Sequence, residues 1–284
     1  MTTALSLSRP AFGELRGNWP VFLPELHERF ADPAALHLPE GCTEVWQTPG
    51  WLSHLEAYGR SFDFSALGRL NVTGQLQSQF AALLLGLLAH QPRVSVLDVG
   101  GSIGENALAA FAALHPGWLE RIDWTVCDGR ASVEIGERTW QSVKDSPVRF
   151  WSSDELARQP GRFDLILVSG TLQCLNEPHQ VLASLAERLT PSSPGIYIRR
   201  TKFVLSGDRH GVVRQLIFPV HGEGAGRYAG ELQGHVFCLP RMVSELGAMG
   251  LVVRYINYYQ PYPLPGVPAP FHNAHYIDLL IGRT

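Results

Sequence analysis

The chain is poor in the features that mark many specialised classes. Its 284 residues hold four cysteines, three methionines and only 17% charged residues. Cys42, Cys127, Cys174 and Cys238 lie far apart with no Cys-x-x-Cys, which argues against a disulfide scaffold, a zinc knot or a redox pair and for buried thiols. Basic surplus is missing too. With 23 Lys+Arg against 26 Asp+Glu the net charge is -3, so nothing is available to neutralise a phosphate backbone, and nucleic acid is not expected as a partner. Long apolar runs are also lacking, because Phe80 to Ala89 is about half of the roughly 20 residues a membrane span needs. The start of the chain has no basic region followed by an apolar one, and the expectation is a cytoplasmic protein without a membrane partner.

What is present is the texture of one globular protein, 45% hydrophobic with 28 glycines and 20 prolines. Residues 1–90 read as a helical cap, with helical patterns at Leu23–Phe30, Trp51–Tyr58 and Gln75–His90. From residue 91 short β-branched runs alternate with helical patterns, as in βαβ units. The runs are Val94–Val99, Asp123–Cys127, Val148–Trp151, Phe163–Val168, Gly195–Ile198, Val252–Tyr258 and His275–Ile281. Helices are expected at Glu105–Leu114, Ser132–Val143, Pro178–Leu189 and Pro240–Met249, with a turn or two within Ser152–Arg162. The fold class is therefore α/β, a Rossmann-like doubly wound sheet of seven strands with an antiparallel C-terminal hairpin, spanning 91–284. A glycine-rich insertion at 203–239 breaks the rhythm. It is expected to hold a short strand pair around Val212–Val220, then a segment acting either as a lid or as a plain surface loop.

The most informative segment is Val96-Leu-Asp-Val-Gly-Gly-Ser-Ile-Gly104, a strand ending in an acid, a glycine turn and the start of a helix at Glu105. Glycines let a ligand approach the backbone, and the helix start offers unpaired N–H groups. A dinucleotide fingerprint would need Gly-x-Gly-x-x-Gly, yet Val99 stands two before Gly101 and the acid Asp98 precedes the loop. That acid repels a pyrophosphate and attracts a cofactor bearing an ammonium and a sulfonium.

On these residues the sequence resembles the class I S-adenosylmethionine-dependent methyltransferases, over roughly residues 94–284. The resemblance implies that S-adenosyl-L-methionine (SAM) is the cofactor, that Asp98, Gly100, Gly101 and Gly104 form the loop around its methionine portion, and that Asp128, after the second run, binds the ribose hydroxyls. It further implies that Asp154 meets the adenine amine, unless Asp154 caps the next helix, and that Ser169, Gly170 and Gln173 line the transferable methyl group. Ser102 stands where the family's middle glycine is expected. The tryptophans Trp46 and Trp51, the SGTLQ segment and Arg199-Arg-Thr-Lys-Phe203 also resemble a bacterial subgroup of methyltransferases with a helical cap and no assigned substrate.

The expected function is methylation of a small molecule, in bacterial secondary metabolism. Methyl transfer is in-line displacement, so positioning dominates, with a base only where the nucleophile carries a proton. His179, Tyr197, His210 and His221 are the candidate bases and orienters, with Gln173 and Asn176 as hydrogen-bonding walls; each has a bland alternative as a surface, core or capping group. Arg199, Arg200 and Lys202 read as a solvated basic edge, with pairing to a carboxylate as the alternative. No metal is expected, although His272-Asn-Ala-His275 has ligand-like spacing. Two other functions fit: a SAM-consuming cyclase that releases methylthioadenosine, like the azetidine-2-carboxylate synthases, and a non-catalytic SAM-fold binding protein, which Ser102 favours. The Trp-rich cap is either a cover for the site or a homodimer surface.

Overall fold

The computed structural model describes residues 21–25, 44–69, 75–208, 210–218, 221–222, 230–263 and 273–284. Its centre is β2 (Val94–Val99), an apolar run that pairs in parallel with β3 (Ile122–Asp128) on one side and β5 (Leu165–Ser169) on the other. β4 (Val148–Ser152) extends the sheet beyond β3, and β6 (Gly195–Val204) extends it beyond β5. The chain thus winds outward one way through β2, β3 and β4, then reverses through β5 and β6. The reversal leaves a crevice between the carboxyl ends of β2 and β5, the usual ligand position in such sheets. β9 (Leu251–Pro263) and β10 (Asn273–Arg283) form the C-terminal hairpin, with β10 antiparallel to both β6 and β9.

Strands buried on both faces need helices on both faces. One layer holds α2 (Gln75–Leu88), α3 (Glu105–Ala112) and α5 (Arg130–Trp140), whose Leu84, Phe111 and Trp140 meet Val96, Trp124 and Tyr197. The single turn α4 (Pro116–Leu119) follows α3, and α6 (Ser153–Arg158) fills the third link. The other layer holds α7 (Pro178–Glu187) and α8 (Leu239–Ala248), whose Leu182, Leu185, Met242 and Leu246 pack on Leu97, Ile166 and Ile198. No helix among the described residues is long and apolar enough to cross a membrane.

The N-terminal region departs from the helical expectation. Leu23–Glu25, the start of the expected Leu23–Phe30 helix, belong instead to a strand, β1 (Val21–Glu25), paired antiparallel with β7 (Gly211–Phe218). Pro24 fits an edge strand, where one face of the backbone needs no donor. The remainder of the Leu23–Phe30 segment and Cys42 lie outside the described residues. The insertion is more ordered than a short strand pair, because β7 also pairs along its length with β8 (Gly230–Cys238), which joins β6 in parallel through Phe203–Phe237 and Val204–Cys238. Among the described residues the sheet counts ten strands, where the sequence reading expected seven.

α1 (Pro49–Gly59) starts at Thr48, whose side chain accepts from the Trp51 N–H, with Pro49 at the first turn. It buries Trp51 and Leu55 against Ile103 of the glycine loop and Ile135 of α5. Gly59 lies so close to α5 that a Cβ would fall 2.6 Å from Thr139 Oγ1.

Candidate cofactor and acceptor site

The glycine loop is shaped by the protein's own side chains. Gly100 has φ 68° and Gly104 φ 89°, a left-handed conformation that L side chains rarely adopt. A Cβ at Gly100 would fall 2.1 Å from Thr171 Oγ1, at Gly101 2.6 Å from the Asp98 carboxylate, and at Gly104 2.7 Å from Trp140 Nε1. These three glycines therefore let the loop pack closely on Asp98, Thr171 and Trp140, a role beside the ligand approach that the sequence reading expected. Ser102 is also left-handed, at φ 52°, so it holds the shape without being glycine. Its N–H donates to Asp128 Oδ2 at 2.8 Å. Two glycines at the same edge do face open space: a Cβ at Gly129 or at Gly170 would meet nothing within 4 Å.

Three carboxyl groups converge around this loop. Asp98 ends β2, fully buried, and Asn106 of α3 donates to both its oxygens at 3.2 and 3.3 Å. Burial pushes its carboxyl up to about 7, with the charge of Asp128 adding to the shift and the Asn106 amide opposing it. Asp128 ends β3, and its oxygens accept from Ser102 N and from Gly129 N at 2.6 Å. Its carboxyl is also raised, by burial. Glu105 opens α3. Burial first, then the charges of Asp98 and Asp128, push it up to about 8, and its Oε2 is buried with no hydrogen-bond partner. With the Ser132 hydroxyl as a third donor, Asp128 keeps about one of its four acceptor positions for an outside donor such as a ribose hydroxyl.

The β5 side closes the crevice. Ser169 ends the strand, Gly170 turns with φ 69°, and the Gly170 carbonyl accepts from Gln173 Nε2 at 3.0 Å. Gln173 Oε1 is buried and unpartnered. Asp154 stands apart, exposed on the first turn of α6. It caps nothing, because Ser152 is the cap and Glu155 completes a reciprocal capping box with it.

Tyr197, His210 and His179 are not brought together with the carboxyl cluster by any described contact. Tyr197 is buried within β6; its hydroxyl lies 3.1 Å from Gln79 Oε1 and 3.2 Å from Asp278 Oδ2, and burial with the Asp278 charge moves it well above the ordinary tyrosine value. His210 is 2.8 Å from Glu245 Oε2 through Nε2, while its Nδ1 accepts from Cys238 N at 2.9 Å. Burial holds its pKa below the usual histidine value. His179 Nε2 lies 2.7 Å from the same Glu245 oxygen, without hydrogen-bond alignment.

Among the described residues His179, His210 and Glu245 form a group with metal-ligand chemistry. Its geometry is that of hydrogen bonding. Tetrahedral ligands at bond lengths of about 2.1 Å stand roughly 3.4 Å apart, more than the 2.7 and 2.8 Å seen here. Moreover, His210 Nδ1 accepts a hydrogen bond from the Cys238 N–H, so Nε2 of the neutral ring carries the hydrogen that a metal would displace. Arg241 Nε, 2.7 Å from Glu245 Oε1, completes the carboxylate's partners. His272 lies outside the described residues, and His275 is half-buried on β10.

Several residues of the site were missed or misread in the sequence. Tyr58 of α1 senses both Glu105 and Arg200, and burial and Glu105 push its hydroxyl up to about 12. Tyr58, His54 and His221 stack nearly parallel, with interplanar angles of 2°, 11° and 13°. His221 N donates to His54 Nδ1 at 3.1 Å, and His221 Nε2 is buried without a partner. Arg199 and Lys202 are 4% and 1% exposed, so the segment after the fifth strand is no solvated edge. Burial brings Lys202 down to about 8. Glu105 alone had a sequence signal, as the acid directly following the last glycine.

No protein-family model matches the chain, and no curated protein matches it in sequence. Solved structures do resemble it in fold. The 1,6-didemethyltoxoflavin-N1-methyltransferase of Burkholderia thailandensis, with bound 1,6-didemethyltoxoflavin and S-adenosylhomocysteine, aligns over 95% of this chain and 97% of its own at 16% identity and a TM-score of 0.47. The N-terminal domain of EvdMO1, in the presence of S-adenosylhomocysteine and D-fucose, aligns over 75% of this chain and 85% of its own at 19% identity, TM-score 0.48. The CcbJ methyltransferase of Streptomyces caelestis aligns over 80% and 98% at 10% identity, TM-score 0.48.

Proposed function

We propose that the protein is a SAM-dependent methyltransferase acting on a small molecule, with residues 91–284 as the cofactor-binding unit and the N-terminal region as its cover. The observation that carries this reading is the carboxyl cluster of Asp98, Glu105 and Asp128 around the loop at the sheet's reversal point, with Glu105 Oε2 buried and unsatisfied. Asp128 raises both other carboxyls, and such a cluster disfavours a pyrophosphate and favours a cation. SAM is such a cation, and a ribose hydroxyl suits the acceptor position that Asp128 keeps. Glu105 and Asp98 would face the ammonium and sulfonium end, and Gly170 and Gln173 the methyl group. When bound, SAM supplies an electrophilic methyl carbon. The chain's own part is to hold donor and acceptor in line and to exclude water, and the Trp51, Tyr58 and Ile103 packing of α1 over the loop suits that exclusion.

Two expected bases have little freedom for proton transfer. Both nitrogens of His210 are engaged, and the Tyr197 hydroxyl is locked between Gln79 and Asp278. Ser102 does not favour the non-catalytic reading, since it adopts the left-handed loop geometry and its N–H anchors Asp128. The test is a thermal-shift comparison of SAM, S-adenosylhomocysteine and NAD. Stabilisation by the first two alone supports the proposal, and stabilisation by NAD alone overturns it. Mass spectrometry then reads the reaction: methylthioadenosine formed without any acceptor would replace methyl transfer by cyclisation.

A further inference from the structure

Strand β6 loses regular register opposite Asp278. Ile277 pairs with Thr201 and Leu279 with Ile198, so Arg199 and Arg200 together face the single Asp278. This is a β-bulge, and its extra residue is absorbed by Arg200 in a left-handed conformation at φ 49°. The Asp278 carboxylate fixes the bulge, with Oδ1 accepting from Arg200 N at 3.0 Å and Oδ2 from the Tyr197 hydroxyl. Bulges re-aim side chains, and here the re-aimed group is Arg199.

Arg199 is 4% exposed, and its Nε has no hydrogen-bond partner. The charged groups around it are Asp278, Tyr197, Arg200 and Asp98. Asp278 already accepts from two other donors. The root of Arg199 is at the cleft: its Cα lies opposite Ser169 and its carbonyl accepts from Gly170 N at 2.9 Å. A buried guanidinium N–H left without a partner is costly, and the group's planar fork matches a carboxylate.

We propose that Arg199 is the receptor for a carboxylate carried by a ligand in this cleft. The inference rests on the SAM reading above. A cleft lined by Asp98, Glu105 and Asp128 repels anions, so a ligand bearing a carboxylate needs a cation held beside those acids. Two ligands carry that chemistry, the methionyl end of SAM and a carboxylate-bearing methyl acceptor, and binding measurements separate them.

Calorimetry would compare wild type, Arg199→Met and Arg199→Lys. If the cofactor supplies the carboxylate, Arg199→Met loses about tenfold or more in affinity for S-adenosylhomocysteine and leaves methylthioadenosine, which has no amino-acid end, unchanged. Wild type would then also bind S-adenosylhomocysteine about tenfold more tightly than its α-carboxamide, a comparison that needs no variant. If the acceptor supplies it, benzoate binds the S-adenosylhomocysteine-loaded wild type and not the loaded Arg199→Met protein, with cofactor affinity unchanged. Equal weakening of S-adenosylhomocysteine and methylthioadenosine would show a structural role and overturn the proposal. So would equal wild-type affinity for the acid and the carboxamide together with no benzoate binding. Should Arg199→Met fail to fold, Arg199→Lys, which keeps the charge and loses the fork, takes its place. Failure of wild type to bind methylthioadenosine would count against the SAM reading itself.

Discussion

Asp128 is the residue on which the cofactor assignment is most exposed to test. Its carboxylate both anchors Ser102 and keeps an acceptor position for a ribose hydroxyl. Asp128→Ala is expected to weaken SAM binding by about 1–3 kcal/mol, read as the dissociation constant by calorimetry. Ser102→Gly removes an L side chain from φ 52° while keeping the N–H. Its melting temperature and SAM affinity should match wild type, with stability changed by less than about 1 kcal/mol. The pH dependence has a definite sign. Asp98 at about 7 and Glu105 at about 8 are raised above their unfolded values, so the folded protein holds protons that the unfolded chain releases, and both groups lower stability as pH rises through those values. His54 and His235, lowered to about 4 by burial, act oppositely: their contribution is lost as pH falls from the ordinary 6.5 toward 4. The two effects oppose each other below about pH 6.5, and only the carboxyl effect persists above it. The melting temperature of the ligand-free protein should therefore fall between about pH 6.5 and about pH 8, less steeply in Asp98→Asn.

At the scale of elements, what was legible and what was not divide by how locally each feature is determined. The central strands could be read directly because strands covered on both faces are near-continuous apolar runs, and Val94–Val99 and Leu165–Ser169 are of that kind. β1 was misread because Val21–Glu25 finds its partner almost two hundred residues later, at Arg214–Phe218, and no local pattern announces such a pairing. The burial of Arg199 follows from a bulge set by Asp278 on another strand, which spacing cannot show. The acid and glycines of the loop were visible, but their part in packing was not. Gly100, read as room for a ligand, also makes room for Thr171. Gly100→Ala combines that 2.1 Å clash with an unfavourable φ and should destabilise the protein by about 2–4 kcal/mol, measured by denaturant unfolding. Gly170→Ala meets no atoms within 4 Å and should cost only the backbone term, about 1 kcal/mol.

At the scale of the whole molecule, β6 carries two assemblies. Its first half pairs with β5 in the main sheet, and its last residues carry β8, with β7 and β1 beyond. The join to β8 consists of two residue pairs, Phe203–Phe237 and Val204–Cys238, supplemented by His235 to the Leu175 carbonyl and His210 to Glu245. By contrast, β7 and β8 pair at seven positions. So narrow a seam beside so well-zipped a ribbon makes the outer three strands a separate cooperative opening unit. Their interior amides should exchange with deuterium together and faster than those of β2 and β5, and His210→Ala should accelerate the ribbon while leaving the central strands at their original rates. Tension applied to the chain ends would then tear at this seam first, releasing an outer flap from a central sheet that stays shut.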